Sequence, residues 1–191
     1  MVYAFLLQSV GIKEESNKIV YSEVFGTGLN LDVPPSDQRQ VRKRQLMRIA
    51  ERVNSEYRFK KACHLEAVES DPSHAERLTQ AEESGVFRLP AGKFLPAEKH
   101  VVWKASDSCC FSMILSPSEN KALAENVLSL IIRYLLQTFK HFDQTEEMAV
   151  HPDKIAAILH NFLPNGQLVF MNHRVVKQLE KELYRIINDS K

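Results

Sequence analysis

Nine cations fall between residues 39 and 61: Arg39, Arg42, Lys43, Arg44, Arg48, Arg52, Arg58, Lys60 and Lys61. Only Glu51 and Glu56 oppose them there. Arg44, Arg48 and Arg52 stand at i, i+4 and i+8, so on a helix they share one face, opposite Leu46, Ile49 and Val53. A row of guanidinium groups matches carboxylate and phosphate oxygens in planar, bidentate geometry. Arg44, Arg48 and Arg52 are therefore the candidate contact with an acidic partner or with membrane headgroups. The plainer alternative is a solvated helix face, neutralised by the acidic stretch that follows.

Nothing else in the chain clusters as a chemical site. The seven histidines (His64, His74, His100, His141, His151, His160 and His173) are scattered. None stands in an HExxH arrangement or joins a cysteine group, and a metal site needs three or four convergent ligands. Gly26-Thr27-Gly28 lacks the third glycine of a dinucleotide loop, and no GxxxxGK[ST] or GxSxG pattern occurs. Cys109-Cys110 falls inside an expected strand, where a half-buried thiol is a packing group and not a nucleophile. The sequence thus assigns no catalytic, cofactor-binding or metal-ligating residue and no cofactor, and the chain is not expected to be an enzyme.

The totals narrow the class further. A chain of 191 residues fits one domain with a substantial core. Its net charge of +1 argues against nucleic acid as a partner. An odd count of three cysteines, two of them adjacent, reads as a reducing compartment. Met1 to Gln8 is apolar but short, lacks a basic leader and meets Lys13-Glu14-Glu15 soon after, so it reads as a strand and not a signal peptide. Val127 to Leu136 is interrupted by Ser129 and Arg133 and is too short to span a bilayer. Any membrane contact is expected to be peripheral.

The elements that would position these groups follow from periodicity. Residues 2–10 and 18–25 read as a hairpin, closed off by Gly26-Thr27-Gly28 and Pro34-Pro35. Residues 36–58 read as a helix with Leu46, Ile49, Ala50, Val53 and Tyr57 on one face. Residues 62–85 are polar and acidic and are expected to form a mobile surface insert, with a frayed helical turn near Ala75 to Glu83. Val86 to Leu89, His100 to Ala105 and Cys109 to Leu115 are expected strands, the last two joined through Ser106-Asp107-Ser108. Ser116-Pro117-Ser118-Glu119 has the form of a capping box, so a helix is expected from there to about Phe142. Its apolar stripe is broad enough to lie across a sheet and touch a second surface. Pro152-Asp153 opens a further helix that Pro164-Asn165-Gly166 stops. Residues 173–188 form the last helix, with Val176, Leu179, Leu183 and Ile187 on one face. Strands followed by helices in this order give an α+β fold with an antiparallel sheet.

Several stretches, taken in order, resemble the sigma (small) subunit of the fifth heterotetrameric adaptor-protein complex. They are Met1-Val2-x-Ala4-Phe5-Leu6, Val20-Tyr21-Ser22-x-Val24-Phe25-Gly26, Val101-Val102-Trp103, Phe162-Leu163-Pro164-x-Gly166-Gln167-Leu168-x-Phe170-x-Asn172 and Leu179-Glu180-Lys181-Glu182. The resemblance runs from residue 1 to about 187, leaving 62–98 unmatched. It implies a longin-like fold, a five-stranded antiparallel sheet sandwiched by helices, as one adaptor small-subunit domain over 1–191. It also implies a large zeta-type subunit as direct partner, beta and mu subunits of the same complex, and spatacsin and spastizin as associates. The implied role is clathrin-independent sorting at late endosomes and lysosomes, including retrieval to the Golgi, by a cytoplasmic complex peripheral to the membrane. Another longin-type trafficking subunit, of a tether or an exchange factor, is the alternative. Classical sigma chains carry an aromatic- and arginine-rich stretch where this one has Trp103-Lys104-Ala105-Ser106-Asp107-Ser108, so no cargo-binding residue is carried over.

Overall fold

Apolar side chains alternate along the first and fifth strands with no exposed side, which requires cover on both faces of the sheet. The computed structural model describes residues 1–11, 18–26, 35–70, 83–92, 95–106, 108–139 and 145–189. Its sheet comprises β1 (Val2–Ser9), β2 (Ile19–Val24), β3 (Ser84–Leu89), β4 (Lys99–Ser106) and β5 (Cys109–Leu115). They lie in the order β2-β1-β5-β4-β3, with every neighbouring pair antiparallel. The strands begin and end within two residues of the sequence expectation. The α+β, five-stranded architecture implied by the resemblance is the one present.

Two cores follow from this cover. On one face Leu46, Ile49, Val53 and Tyr57 of α1 (Pro35–Ser70) meet Tyr3, Ala4, Leu6, Trp103 and Ile114. On the other, α2 (Lys121–Thr138) lies across Phe5, Leu7, Phe111 and Met113. There it is joined by Met148 of α3 (Thr145–Val150), by Ile155, Ile158, Leu159 and Phe162 of α4 (Pro152–Phe162), and by Leu183 of α5 (His173–Asp189). The broad stripe of α2 does touch a second surface, and that surface is α4. Tyr134 stacks on Phe162 with ring centres 4.6 Å apart. The stripe is consumed within the chain and leaves little of itself for a partner.

Three boundaries differ from the sequence reading. Helix α1 runs to Ser70, not 58. Residues 59–70 are polar but rich in helix formers, and the first breaker is Pro72. Loss of an apolar stripe does not by itself end a helix. The extension is held by polar contacts: Lys60 Nζ donates to the Ser84 carbonyl, and His64 Nδ1 lies 2.6 Å from Glu83 Oε1. The remainder of the expected acidic insert, 71–82, lies outside the described residues. Helix α2 starts at Lys121, where Asn120 Oδ1 accepts the Leu123 amide at 3.1 Å. The expected capping box is a turn instead, with the Glu119 amide donating to the Ser116 carbonyl at 3.0 Å and the Glu119 carboxylate paired with the Met1 amine. That helix ends at Thr138, and the expected last turn at 140–142 lies outside the described residues. Helix α3 is an element that the sequence reading lacks.

Pro164–Gly166 closes α4 in one tight 3-10 turn that docks on β1 and on Phe25, just past the end of β2. Asn165 and Gly166 both have positive φ, 50° and 73°. A Cβ on Gly166 would sit 2.7 Å from the Val2 carbonyl oxygen and 2.5 Å from Phe25 Cβ. Glycine is required there by backbone conformation and by space together. Gly166→Ala is expected to lower the unfolding free energy by more than ~1 kcal/mol, since both strain and clash act. Asn165→Gly should change it by less than ~1 kcal/mol. Urea unfolding of the two variants checks this, and an unaltered Gly166→Ala protein would show that the turn is not seated on β1.

Candidate interaction surfaces

Chemistry needs convergent polar groups, and the described residues hold no group of three or more His, Cys, Asp or Glu side chains placed to bind a metal. His100 Nε2 lies 3.6 Å from Glu98, which also meets Arg88 Nε at 3.0 Å. His64 pairs with Glu83, as above. His74 and His141 lie outside the described residues. Cys109 and Cys110 are fully buried, pointing to opposite faces of β5. They are more buried than a one-sided sheet would make them. Burial, then the neighbouring Cys109, pushes the Cys110 thiol far above its ordinary range.

The surface of α1 carries the charge. Arg44, Arg48 and Arg52 are all exposed, while Leu46, Ile49 and Val53 are buried. The row is not uniform. Arg44 reaches back to Gln40 Oε1 at 3.4 Å. Arg52 pairs with Glu56 at 2.5 Å and lies 5.8 Å over the Phe87 ring of β3. Exposed pairs of this kind contribute about 0.2–1 kcal/mol, so they do not fix the side chains against a stronger acidic ligand.

A second set of cations, counted among the nine of residues 39–61, was not set apart from the rest by the sequence. Arg39, Arg42 and Lys43 line a groove of about 620 Å³ between α1 and the edge strand β2, with Lys18 on the strand side and Glu51 as the only carboxylate among the described lining residues. Leu46, Met47 and Ala50 complete the helical wall. The signal for Arg39, Arg42 and Lys43 was present in their i, i+3, i+4 spacing. Lys18 could not be placed with them, because that needs the hairpin register and the packing of α1. A smaller groove of about 400 Å³ lies between β4 and α2, lined by Lys104, Arg133 and Leu136 among others.

Large exposed apolar side chains stand elsewhere. Phe170, in the extended link after the 3-10 turn, is 82% exposed, and Phe59 on the α1 extension is 68% exposed. Single exposed apolar residues are common, but a phenylalanine this bare is the kind of group that a partner covers.

The comparisons with known proteins decide what carries these surfaces. A family model described as AP-5 complex subunit sigma-1 matches residues 1–184. This chain belongs to the AP-5 sigma-1 family. It is 32% identical over 193 residues to the AP-5 complex subunit sigma-1 of Homo sapiens, covering 95% of this chain and 96% of that one. It is 30% identical over 147 residues to the Mus musculus protein of the same name, covering 71% and 86%. The family match spans 62–98, the stretch left unmatched by the sequence resemblance.

Thiol accessibility tests the burial described here. Cys63 is exposed and Cys109 and Cys110 are buried. A maleimide applied to the native chain is expected to modify Cys63 alone, with the other two reacting only after denaturant is added. Rapid native labelling of Cys109 or Cys110, read by mass spectrometry of the peptides, would show that β5 is not enclosed.

Proposed function

We propose that this chain is the non-catalytic small subunit of an AP-5-type adaptor complex. It acts in clathrin-independent, vesicle-mediated transport at late endosomes and lysosomes, including retrieval to the Golgi. The observation that carries this reading is the family match over residues 1–184, collinear with a sheet covered on both faces. Residues 1–191 serve as one longin-like domain, whose surface is built for contact. Its direct partner is a large zeta-type subunit, with beta and mu subunits completing the complex and spatacsin and spastizin associating with it. The chain works from the cytoplasmic side and meets membrane through the complex. No described helix is long and apolar enough to cross a bilayer.

Affinity capture of the tagged chain from cells, with mass spectrometry of what is retained, tests this. Zeta-type, beta and mu subunits are expected. Tethering-complex or exchange-factor subunits in their place would overturn the adaptor assignment and leave the fold standing.

Arg44, Arg48 and Arg52 are the contact we assign to an acidic surface of a partner or membrane, on the strength of their shared exposed face. Replacing all three with Gln is expected to weaken complex formation or membrane recruitment several-fold, with the unfolding midpoint unchanged. Normal assembly and recruitment of the triple variant would remove that role.

A further inference from the structure

Among the described residues, the cations of the groove between β2 and the first turns of α1 are gathered at one end. Arg39, Arg42 and Lys43 fall within about 6 Å of helix axis, at ~1.5 Å per residue. Lys18 faces them from the strand side, and Glu51 stands at the far end. None of these four cations is in an ion pair with a described residue. The Arg42 Nε atom is buried and has no hydrogen-bond partner. That nitrogen is shielded even from water, so it makes the guanidinium costly to hold at this place and does not itself meet a ligand. Tyr3 senses the same charge: burial raises its phenol pKa, and Arg42 acts to lower it.

We propose that this groove is a binding site for a compact polyphosphate of the inositol-phosphate class. The bunching of charge selects the ligand. An extended acidic peptide would spread its carboxylates over several residues and would need cations along the whole groove. Four cations on two facing walls suit two or more phosphates on one small ring, with each arginine able to bind in bidentate fashion. The groove volume of about 620 Å³ is ample for such a ring. Beyond the charged end the wall turns apolar, and Met47 at the rim is 47% exposed. That gradient, phosphate end to apolar end, is the profile of a headgroup joined to its glycerol and acyl chains. A soluble inositol polyphosphate shares the headgroup chemistry.

The test uses the full chain and three probes: inositol hexakisphosphate in calorimetry, phosphatidylcholine vesicles carrying a phosphatidylinositol bisphosphate in sedimentation, and a poly-glutamate peptide. The groove variant is Arg39→Gln with Arg42→Gln and Lys43→Gln. The control is Lys177→Gln with Lys181→Gln and Arg185→Gln, which removes equal charge from α5 on the other face of the sheet. Binding to vesicles and to the soluble probe, weakened at least about tenfold in the groove variant and unchanged in the control, supports the site with a lipid source. The same pattern for the soluble probe alone supports it with a soluble source. Equal weakening in both variants, or no binding of either phosphate probe, overturns it. Poly-glutamate binding as tightly as inositol hexakisphosphate overturns it in favour of an acidic protein segment. Near-identical thermal unfolding of the two variants guards against misfolding of the groove.

Discussion

The structure depends on β1 and β5 being buried on both faces. Every residue of β5 is buried, and all of β1 except Ser9. An antiparallel sheet usually leaves one face wet, but the two central strands here leave no such choice. Helices must cover both sides, and the alternation along each strand decides which side chain meets which helix. Phe5 and Leu7 go to α2, and Tyr3, Ala4 and Leu6 go to α1. Tyr3 and Ala4 share a side because the register shifts between Val2 and Ala4. At ~1.5–3 kcal/mol for each large apolar side chain buried, this packing outweighs any single polar contact in the chain. The polar exceptions fit the rule. Gln8, fully buried, donates from Nε2 to the Ala50 carbonyl of α1 at 3.0 Å. Ser112, between Leu6 and Trp103 across the sheet, is small enough for the indole to pack beside it.

Much of this was legible in residue order because burial writes a period into the sequence. The apolar, strand-forming runs of β1, β4 and β5 and the Leu46, Ile49, Val53, Tyr57 face of α1 could be read without coordinates. What could not be read was decided by interactions of another kind. The end of α1 is set by a proline and by polar contacts to β3, neither of which shows as an apolar stripe. The start of α2 lies at Asn120 and not Ser116, where two good caps compete and tertiary contacts choose. The Arg44, Arg48, Arg52 row was visible as spacing. The groove was not, because Lys18 joins Arg39, Arg42 and Lys43 only after the hairpin and the helix have packed.

The two layers are not equally secure. The α2 layer is an apolar core reinforced by α4, whose ring stacking and tight closing turn tie it to β1. The α1 layer is narrower. Among the described residues its buried face runs from Gln45 to Tyr57, about three and a half turns, and beyond Tyr57 the helix is held by Lys60 and His64 to Ser84 and Glu83. Hydrogen bonds of this sort contribute about 0.5–1.5 kcal/mol each in partly exposed places. Local opening is therefore expected to start at the far end of α1 and not in the strands beneath it.

That asymmetry separates two kinds of surface. The side built on α2, α4 and α5 is stiff, and its exposed apolar group, Phe170, sits on a link pinned at one end by Gly166 and at the other by Asn172. Asn172 Oδ1 accepts the Arg174 and Val175 amides at 3.0 Å. A preorganised apolar contact loses little entropy when a partner covers it. The α1 side offers cations, arranged as an outward row and an inward cluster in one groove. Charge acts at longer range than apolar contact and weakens with salt. Each side also carries some of the other kind: Phe59 is bare on the α1 extension, and Lys177, Lys181 and Arg185 are exposed on α5, so the sheet sorts the two kinds of contact by weight and does not separate them completely.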